Sequence, residues 1–432
     1  MRSISRRRRP VLGGLTRYCL LTSVLVAGWG SASCSSSNDA APVAADGGAV
    51  DGGPTGEGGA GQDSAVVATP CPRSPKAADR VRSVVISHPF DASGGKANGF
   101  EVLRLATDGT LSRSGTKFEM GNNFDSPIVF TPDGEIGVSV HDKDGTLGFF
   151  RIDDAGAVTV IDPSFGAGQF YADAAVFSAD GSRLFVIDGN KNTTGGVHEV
   201  SVGCDGKPTY KGRIQVAAVP STIGFVPGTS RVAVTALSAD GVPAGRDLFF
   251  LDLSGAGAVT DSLALFGDDQ VSAHGIAFTP DGKLGFVADG NDVLGTKRVG
   301  TFSLDPAPAK LKEFEVEGPT GVVVSPFGNA ALVTAAGGGT IDALYTFSIA
   351  GAGAAATVTA KGKMTSLVGA KPQLPTCPNL VSVGSLKGLV LIGEVEGVRR
   401  ARFEANGDVT DLGVFTIPGD VDMAVGCVGV QP

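Results

Sequence analysis

Carboxylate, imidazole and other polar side chains recur inside otherwise apolar runs of this sequence, at equal distances from short turns. Residues equidistant from a hairpin turn lie opposite each other on the two strands that the turn joins. The pairs found in this way are His274 with Asp289, Asp173 with Asp188, Ser126 with His141, Asn379 with Glu394, Asp422 with His88, Ser221 with Ala236, and Thr320 with Ala335. On this register, the polar members should converge on a single face of the molecule.

These side chains suit a metal ion or a small polar ligand. Asp173 and Asp188 would repel each other as directly opposed carboxylates, and a bound divalent cation or a shared proton would relieve the repulsion. Carboxylate oxygens together with an Asn amide suit Ca²⁺ or Mg²⁺, whereas histidine with carboxylate suits Zn²⁺. We therefore take Asp173 and Asp188 as candidate metal ligands. The candidate ligand-binding residues are His88, Ser126, His141, Asn379, Glu394 and Asp422.

A repeated turn sequence indicates how these strands are organised. The sequence FTPDG occurs at 130–134 and again at 278–282, with looser copies between and after these positions. Asp-Gly closes a hairpin because Gly accepts a positive φ and Asp bonds its own backbone, while the Pro before it ends the incoming strand. The copies recur every ~46–50 residues, a spacing that fits a four-stranded propeller blade.

The composition favours the same architecture. The chain has 432 residues, of which 64 are Gly and only 18% are charged, which argues against a disordered chain and against a helical bundle. Six units begin near residues 125, 171, 219, 272, 318 and 378, and segments from both chain ends, Arg82–His88 and Asp422–Cys427, complete a seventh. We therefore predict an all-β fold: a seven-bladed β-propeller of four-stranded blades, with the ring closed by joining the N- and C-terminal segments.

The FTPDG-like repeats resemble those of the YVTN and lactonase-like seven-bladed β-propellers, over about residues 80–432. No Trp-Asp dipeptide occurs, which argues against a WD40 propeller. In 6-phosphogluconolactonase-like members an Arg-His pair opens one inner strand, and here Ser272-Ala273-His274-Gly275 keeps the His without the Arg. The resemblance implies a face that opens a lactone ring with a His or a carboxylate as general base. The catalytic residues that it implies are His274, Asp289 and Asp173.

The N-terminal segment predicts export. Residues 1–33 combine a basic start with an apolar stretch that is too short to span a bilayer, and they resemble a bacterial lipoprotein signal in which Cys34 is lipidated. Ordinary cleavage of a signal peptide is the alternative. Residues 34–78 are rich in Gly, Ala and Asp and read as a flexible tether, so the propeller domain should span 79–432.

Charge and location limit the partners of the protein. The net charge is −9, and loss of the six Arg in residues 1–33 makes it −15, which argues against nucleic acid. We expect an exported protein of the periplasm, outer membrane or cell surface, monomeric, whose contact with the membrane is the lipid anchor alone.

Four cysteines lie beyond the signal and the acceptor Cys34, and an exported compartment permits disulfides. The aligned topology places Cys71 and Cys427 near the same face, and it separates Cys204, in a turn of that face, from Cys377, in a loop of the opposite face. We therefore predict a Cys71–Cys427 disulfide that locks the ring. The alternative is four free thiols.

The sequence leaves two functions open. The leading hypothesis is a cell-envelope lipoprotein whose propeller binds a small molecule or a protein without catalysis. The alternative is a lactonase-like hydrolase that uses the polar face, with or without a divalent cation (Ca²⁺, Mg²⁺ or Zn²⁺). A simpler interpretation also stays open, in which strand ends beside a water-filled channel are polar only because they are hydrated.

Overall fold

A computed structural model describes residues 71–90, 95–189, 195–216, 219–237, 245–255, 257–267, 273–291, 296–336, 342–368, 371–418 and 425–432. The signal, the lipid-acceptor Cys34 and nearly all of the tether lie outside these residues, as does Asp422. Within the described part of the chain, no helix is long and apolar enough to cross a bilayer.

Thirty β-strands make up almost all of the regular structure in the described residues. Blades 1 and 2 contain β1 (Arg82–Phe90), β2 (Lys96–Leu105), β3 (Leu111–Glu119), β4 (Ile128–Phe130), β5 (Ile136–His141), β6 (Thr146–Ile152) and β7 (Val158–Phe165). Blades 3 and 4 contain β8 (Ala172–Phe177), β9 (Arg183–Asp188), β10 (Gly196–Val202), β11 (Pro208–Ile214), β12 (Val219–Phe225), β13 (Arg231–Leu237), β14 (Leu248–Asp252) and β15 (Ala258–Leu263).

The second half of the ring repeats the pattern. Blades 5 and 6 contain β16 (Ala273–Phe278), β17 (Leu284–Asn291), β18 (Thr296–Ser303), β19 (Ala309–Glu315), β20 (Pro319–Val324), β21 (Ala330–Ala335), β22 (Ala343–Ala350) and β23 (Thr357–Thr365). A small ladder of β24 (Leu367–Val368) and β25 (Lys371–Pro372) precedes blade 7, which contains β26 (Thr376–Leu380), β27 (Leu389–Glu394), β28 (Gly397–Phe403) and β29 (Val409–Thr416). The last strand is β30 (Val428–Val430).

The prediction of a seven-bladed β-propeller closed by both chain ends is confirmed. Each blade is a four-stranded antiparallel sheet, and blade 1 has the order β3-β2-β1-β30, so that the C-terminal strand is its innermost strand. The alignment of that strand was wrong, however. Val428 lies opposite Ile86, and the innermost strand begins at Val428, so the described residues 425–427 of the predicted segment precede the strand.

The repeated turns form as the sequence indicates. In the first FTPDG copy the Thr131 hydroxyl donates to the Asp133 carboxylate at 2.6 Å, and the same carboxylate accepts the Glu135 amide at 3.0 Å. Gly134 has φ of +70°, a conformation that costs a residue with a side chain about 1 kcal/mol or more. Thr279 repeats the bond to Asp281, also at 2.6 Å.

Apolar layers between the blades hold the ring together. One layer joins Val84 and Ile86 of blade 1 to Leu389 and Leu391 of blade 7, and all four are fully buried. Burying one such side chain contributes about 1.5–3 kcal/mol. Inner strands are apolar because they pack between two neighbours, as their sequences predicted. In every blade the outermost strand pairs with its neighbour through a register shift. Such a shift distorts the free edge of the sheet and so disfavours its pairing with another chain.

The predicted Cys71–Cys427 disulfide was wrong. Cys71 is bonded to Cys204, and Cys377 is bonded to Cys427, with Cα–Cα distances of 5.2 and 5.1 Å. The segment that begins at Cys71 first runs past blades 3 and 2. The Arg73 backbone amide donates to the Asp180 carbonyl, and the Arg73 guanidinium lies 2.8 Å from the Asp133 carboxylate.

The path of the chain explains both disulfides. Sequence reasoning placed Cys71 beside the strand that it precedes, whereas it lies two blades away. Cys377 was expected in a loop, but it lies in β26, the inner strand next to β30 in the ring. The Cys377–Cys427 bond therefore ties the last complete blade to the closing strand.

Candidate functional site

A central channel of about 680 Å³ runs between the inner strands. Its wall is formed by one inner strand from each of blades 2 to 7, with Val428 of the closing strand. Channels and clefts of this size are where proteins bind small molecules. Six of the sequence-predicted polar positions line this channel: Ser126, Asp173, Ser221, His274, Thr320 and Asn379.

The inner strands aim these side chains into the channel by means of a bulge. In blade 3, Ala172 lies opposite Asp188 and Ala174 lies opposite Ile187, so Asp173 is an extra residue without a partner in the ladder. Blades 4, 5 and 6 have the same irregularity at Ser221, His274 and Thr320. A bulge redirects the side chain of its extra residue. A shared distortion of the backbone therefore places these residues at the channel.

The bulges make most of the predicted pairs wrong. Asp188 faces Ala172 instead of Asp173, and Asp289 faces Ala273 instead of His274. Ser221 and Thr320 are displaced in the same way from Ala236 and Ala335. In blade 7 the shift is larger, because Asn379 lies opposite Leu391. In blade 2 the ladder is continuous, with Ile128 opposite Ser139, but β4 begins after Ser126 and no pairing with His141 is formed within a strand.

The second-strand residues lie away from the channel, at buried ends of the blades. Asp188 Oδ2 is 3.4 Å from Nε2 of His198, and Asp289 Oδ2 is 2.8 Å from Nε of Arg298. The side chains of Asp188, Asp289, Glu394 and His141 are fully buried. These charges link the second strand of a blade to the third strand, so their role here is structural. Sequence reasoning could not separate them from the channel residues.

His141 and His88 also lie outside the channel. His141 Nδ1 is 3.0 Å from the Thr146 hydroxyl, and burial lowers the pKa of His141 to about 4. His88 borders a separate cleft of about 390 Å³ beside blade 1, where its Nε2 is 3.5 Å from the buried Glu101 carboxylate. Arg113 donates two hydrogen bonds to Glu101, at 2.5 and 2.6 Å. Burial alone would raise the pKa of Glu101, but the hydrogen bonds with His88 and Arg113 lower it to about 2.

Replacing Arg399 by Met should strongly destabilise blade 7. Arg399 Nε is 2.6 Å from Glu394, which is fully buried, and burial already raises the pKa of Glu394. Leaving a buried charge without its partner costs about 3–5 kcal/mol. We expect a loss of this size in the free energy of unfolding at pH 8, measured by denaturant titration. The loss should become smaller as the pH falls, because protonation of Glu394 removes the unpaired charge.

The matched control is Lys361→Met, which breaks an exposed ion pair with Asp408 at 2.8 Å. Exposed pairs contribute about 0–1 kcal/mol. Equal effects of the two substitutions would show that the Glu394–Arg399 pair does not hold the blade.

Hydroxyl groups beside the channel join neighbouring blades. Ser126 donates to the Asp173 carbonyl at 2.9 Å, and Thr320 donates to the Pro375 carbonyl at 2.6 Å. Ser221 accepts the Ala273 amide at 3.4 Å. Blades 2, 4 and 6 are thus tied to blades 3, 5 and 7. The hydroxyls of Ser126 and Thr320, predicted to bind ligand or to line the site, hold the bulges in position as well.

Sequence reasoning missed one wall of the channel. Asp125, Asp142, Lys143 and Tyr171 lie beside Asp173 in the channel lining. Asp142 follows β5 in a tight turn that the run Asp142–Gly145 forms, and its carboxylate accepts the Phe124 amide at 2.9 Å and lies 2.8 Å from Nζ of Lys143. No feature of the sequence indicated that this turn borders the channel.

Asp173 has an unusual electrostatic environment. Burial raises its pKa to about 7, and repulsion from Asp125, Asp142 and Asp188 adds to the effect. The same two causes, burial first and then Asp125, raise the pKa of Asp142 to about 6. Asp173 is therefore poised to exchange a proton near neutral pH, a property that belongs to general bases and acids.

Gly189 makes room for the Asp173 carboxylate. A Cβ atom at position 189 would lie only 1.8 Å from Oδ2 of Asp173. Gly189 does not have a positive φ, so its backbone would accept Ala and only the contact with Asp173 forbids it. The end of β9 is thus shaped around the carboxylate.

The donor set does not fit the predicted metal site. Within the described ranges, no group of three or more His, Cys, Asp or Glu side chains is placed to hold a metal ion. Asp188 lies at the end of β9 against His198 and is not part of the channel wall. We therefore derive no chemical step through a metal, and the divalent cation stays a prediction.

The fold and the channel define this chain as a seven-bladed β-propeller with a polar central site. No family model and no curated protein matches the sequence. Among solved structures, the periplasmic gluconolactonase PpgL of Pseudomonas aeruginosa is similar with a TM-score of 0.59 and 14% identity, covering 82% of this chain and 99% of that chain.

Two further solved structures are similar to this chain to about the same degree. A "putative 6-phosphogluconolactonase" from Bacteroides uniformis ATCC 8492 has a TM-score of 0.60 and 15% identity, covering 81% of this chain and 99% of that one. A protein from Lactobacillus plantarum has a TM-score of 0.59 and 13% identity, covering 82% and 100%. At such identities the likeness shows the shared propeller fold.

Proposed function

We propose that this protein is a lactonase-like hydrolase that opens a lactone ring in the central channel, with Asp173 as general base. One observation carries the proposal: a channel-lining carboxylate whose pKa is raised to about 7 by burial and by neighbouring carboxylates. A base with a pKa near the working pH is both available in its ionised form and strong enough to accept a proton. The names of two structural neighbours favour a lactone over other esters.

The chemistry balances with one water molecule. The Asp173 carboxylate takes a proton from water while the water oxygen bonds to the carbonyl carbon of the lactone. The tetrahedral intermediate then collapses, the bond between that carbon and the ring oxygen breaks, and the proton returns from Asp173 to the ring oxygen. The product is the open hydroxy acid. Asp173 is ionised again as soon as its proton reaches the ring oxygen, and the product acid then loses its own proton to solvent.

Hydrogen-bond donors on the other walls suit the developing oxyanion. His274 and Asn379 line the channel from blades 5 and 7, and both carry N–H groups that can donate to a negative oxygen. His274 thus keeps a place in the site proposed from the sequence. Asp289 does not, because it is buried against Arg298 away from the channel.

We further propose that the protein acts outside the cytoplasm. Two disulfides support an oxidising compartment, and a structural neighbour is named as periplasmic. Lipidation of Cys34 and the tether would attach a monomeric enzyme to the envelope. Labelling with a radioactive fatty acid, lost in Cys34→Ala, is the measurement that tests the anchor.

A panel of lactones tests the activity. The mature protein should hydrolyse at least one five- or six-membered sugar lactone, with kcat/KM rising as the pH increases through about 7. Assays with a chelator and with added Ca²⁺, Mg²⁺ or Zn²⁺ test the predicted cation in the same series. Binding of lactones or their hydroxy acids without any turnover would contradict the proposed hydrolase activity. It would support instead the binding module predicted from the sequence.

Gly189→Ala should lower activity by displacing Asp173. The new methyl group would overlap Oδ2, so the carboxylate must turn away from its position. A misplacement of about 1 Å can lower the rate of a catalysed reaction by about 100-fold. We expect kcat to fall at least tenfold and the pH profile to shift, because the displaced carboxylate has a new environment.

The matched control is Gly255→Ala. A Cβ at Gly255 meets no other atom within 4 Å, and this residue does not have a positive φ. The Gly255→Ala substitution should leave kcat and the pH profile unchanged. A Gly189→Ala enzyme with the wild-type pH profile and rate would contradict the positioning of Asp173 by Gly189.

A further inference from the structure

We propose that the channel selects a substrate that carries a positively charged amino group, such as the lactone of an amino sugar, and disfavours phosphorylated ones. The inference rests on the proposed function and names the substrate class of the same site. It comes from the distribution of charge around the channel wall.

The ionisable groups of the wall are concentrated on one side. Three carboxylates line the channel from blades 2 and 3, those of Asp125, Asp142 and Asp173. Among the described residues that line the channel, Lys143 is the single lysine, and no arginine does so. The walls from blades 4 to 7 contribute hydroxyl, amide and imidazole groups. A ligand therefore meets a net negative wall that faces one whose described residues include no carboxylate, lysine or arginine.

The positive charge of Lys143 is already paired with carboxylates of this wall. Its Nζ lies 2.8 Å from Asp142 and 5.3 Å from the centre of the Phe124 ring. The attraction of Asp125 and Asp142 raises the pKa of Lys143 despite its burial. Lys143 therefore neutralises part of the acidic wall and is not placed to balance an incoming phosphate.

Two carboxylates of the wall remain without a direct partner. Neither Asp125 nor Asp173 forms a side-chain hydrogen bond or an ion pair with any described residue. Asp173 is also enclosed enough that burial is the main cause of its raised pKa. An enclosed carboxylate without a partner is unfavourable, and a cationic ligand would supply the missing charge.

An aromatic face borders the same wall. Tyr171 is 40% exposed, lines the channel, and packs over Gly145, where a Cβ would lie 2.5 Å from the ring. Its hydroxyl donates to the Asp142 carbonyl at 2.7 Å, which fixes the ring beside the carboxylates. An ammonium group is attracted by an aromatic face as well as by carboxylates. The combination suits an amino group better than a metal ion, which would require three or more ligands.

Binding of three sugars that differ in charge tests the inference without requiring turnover. D-Glucosamine, D-glucose and D-glucose 6-phosphate are titrated into the mature protein by calorimetry at low ionic strength. We expect glucosamine to bind at least tenfold more tightly than glucose, and glucose 6-phosphate to bind more weakly than glucose. The advantage should shrink in 0.5 M salt, because added ions screen the attraction between the ammonium group and the carboxylates.

The variant Asp125→Asn should remove most of the glucosamine advantage, and Asp261→Asn is its control. Asp261 is an exposed carboxylate on β15, outside the channel lining, so the same change of charge there should have no effect. Equal binding of the three sugars, or tighter binding of the phosphate, would overturn the inference.

The lactone panel distinguishes an error in the proposed substrate class from an error in the proposed hydrolase activity. Hydrolysis of neutral lactones with no preference for amino substrates would leave the proposed function intact and overturn the substrate class. Glucosamine binding that depends on Asp125, without hydrolysis of any lactone, would support the cationic site and overturn the hydrolase.

Discussion

Asp173→Asn should reduce kcat for lactone hydrolysis by about 100- to 10,000-fold, the usual contribution of a general base. Asn keeps the size and polarity of the side chain at the bulge but cannot accept a proton from water. The increase of kcat/KM through pH 7 should disappear with the carboxylate. Steady-state kinetics of both proteins between pH 5 and 9 provide the measurement.

The same substitution should stabilise the fold, which distinguishes it from a damaged protein. The pKa of Asp173 in the folded state is raised to about 7, whereas the unfolded chain has an ordinary Asp. The folded state therefore binds more protons between about pH 4 and 7, and its stability falls as the pH rises through this range. Asp173→Asn should remove that decline, which is worth about 2 kcal/mol at pH 8 after allowance for solvent screening.

Denaturant titrations at pH 5 and pH 8 check the stability. Asn at 173 should gain relative to the wild type at pH 8 and little at pH 5. Full activity in Asp173→Asn would remove this residue from the mechanism, and a uniform loss of stability at both pH values would attribute the lost activity to misfolding.

Removing the Cys377–Cys427 disulfide should lower the stability of the ring by up to about 4 kcal/mol. The bond joins cysteines 50 residues apart, and the chain-entropy model gives about 4 kcal/mol for a loop of that length. For a domain of this size, such a loss lowers Tm by about 5–10 °C. Cys377→Ser/Cys427→Ser in differential scanning calorimetry, together with non-reducing peptide mapping of the wild type, tests the pairing.

The companion variant Cys71→Ser/Cys204→Ser separates closure of the ring from attachment of the N-terminal segment. Cys377 lines the channel, so its loss should also change KM, whereas Cys204 lies in the turn between β10 and β11 and should not affect KM. A mapped Cys71–Cys427 peptide, or an unchanged Tm in Cys377→Ser/Cys427→Ser, would contradict the role of this bond in closing the ring.

Much of the architecture was decided by local chemistry that the sequence displays. The Thr131–Asp133–Gly134 turn forms from bonds within a few residues, and its recurrence gives the length of a blade. Apolar runs on both sides of such turns predict strands that are buried between neighbours. Closure of blade 1 by the C-terminal strand also followed, because six repeats with a partial unit at each end leave one blade to share.

The residues of the site were only partly predictable. The positions of Asp173 and His274 beside the channel could be inferred from polar residues in apolar runs. Their opposite residues could not, because the bulges at Asp173 and His274 shift each ladder by one residue, and a bulge has no clear mark in these sequences. Counting residues from each hairpin turn therefore grouped Asp188 and Asp289 with the channel residues, although they are buried against His198 and Arg298.

By itself, the sequence determined a ring of repeated four-stranded blades and the polar character of its inner strands. Only the tertiary structure decided which cysteines meet, which carboxylates face the channel, and that Asp125, Asp142 and Tyr171 stand beside Asp173. The physical reason is distance along the chain: turns and strand patterns depend on neighbours within a few residues. Disulfide partners and the pKa of a buried carboxylate depend instead on residues brought together by the closed ring.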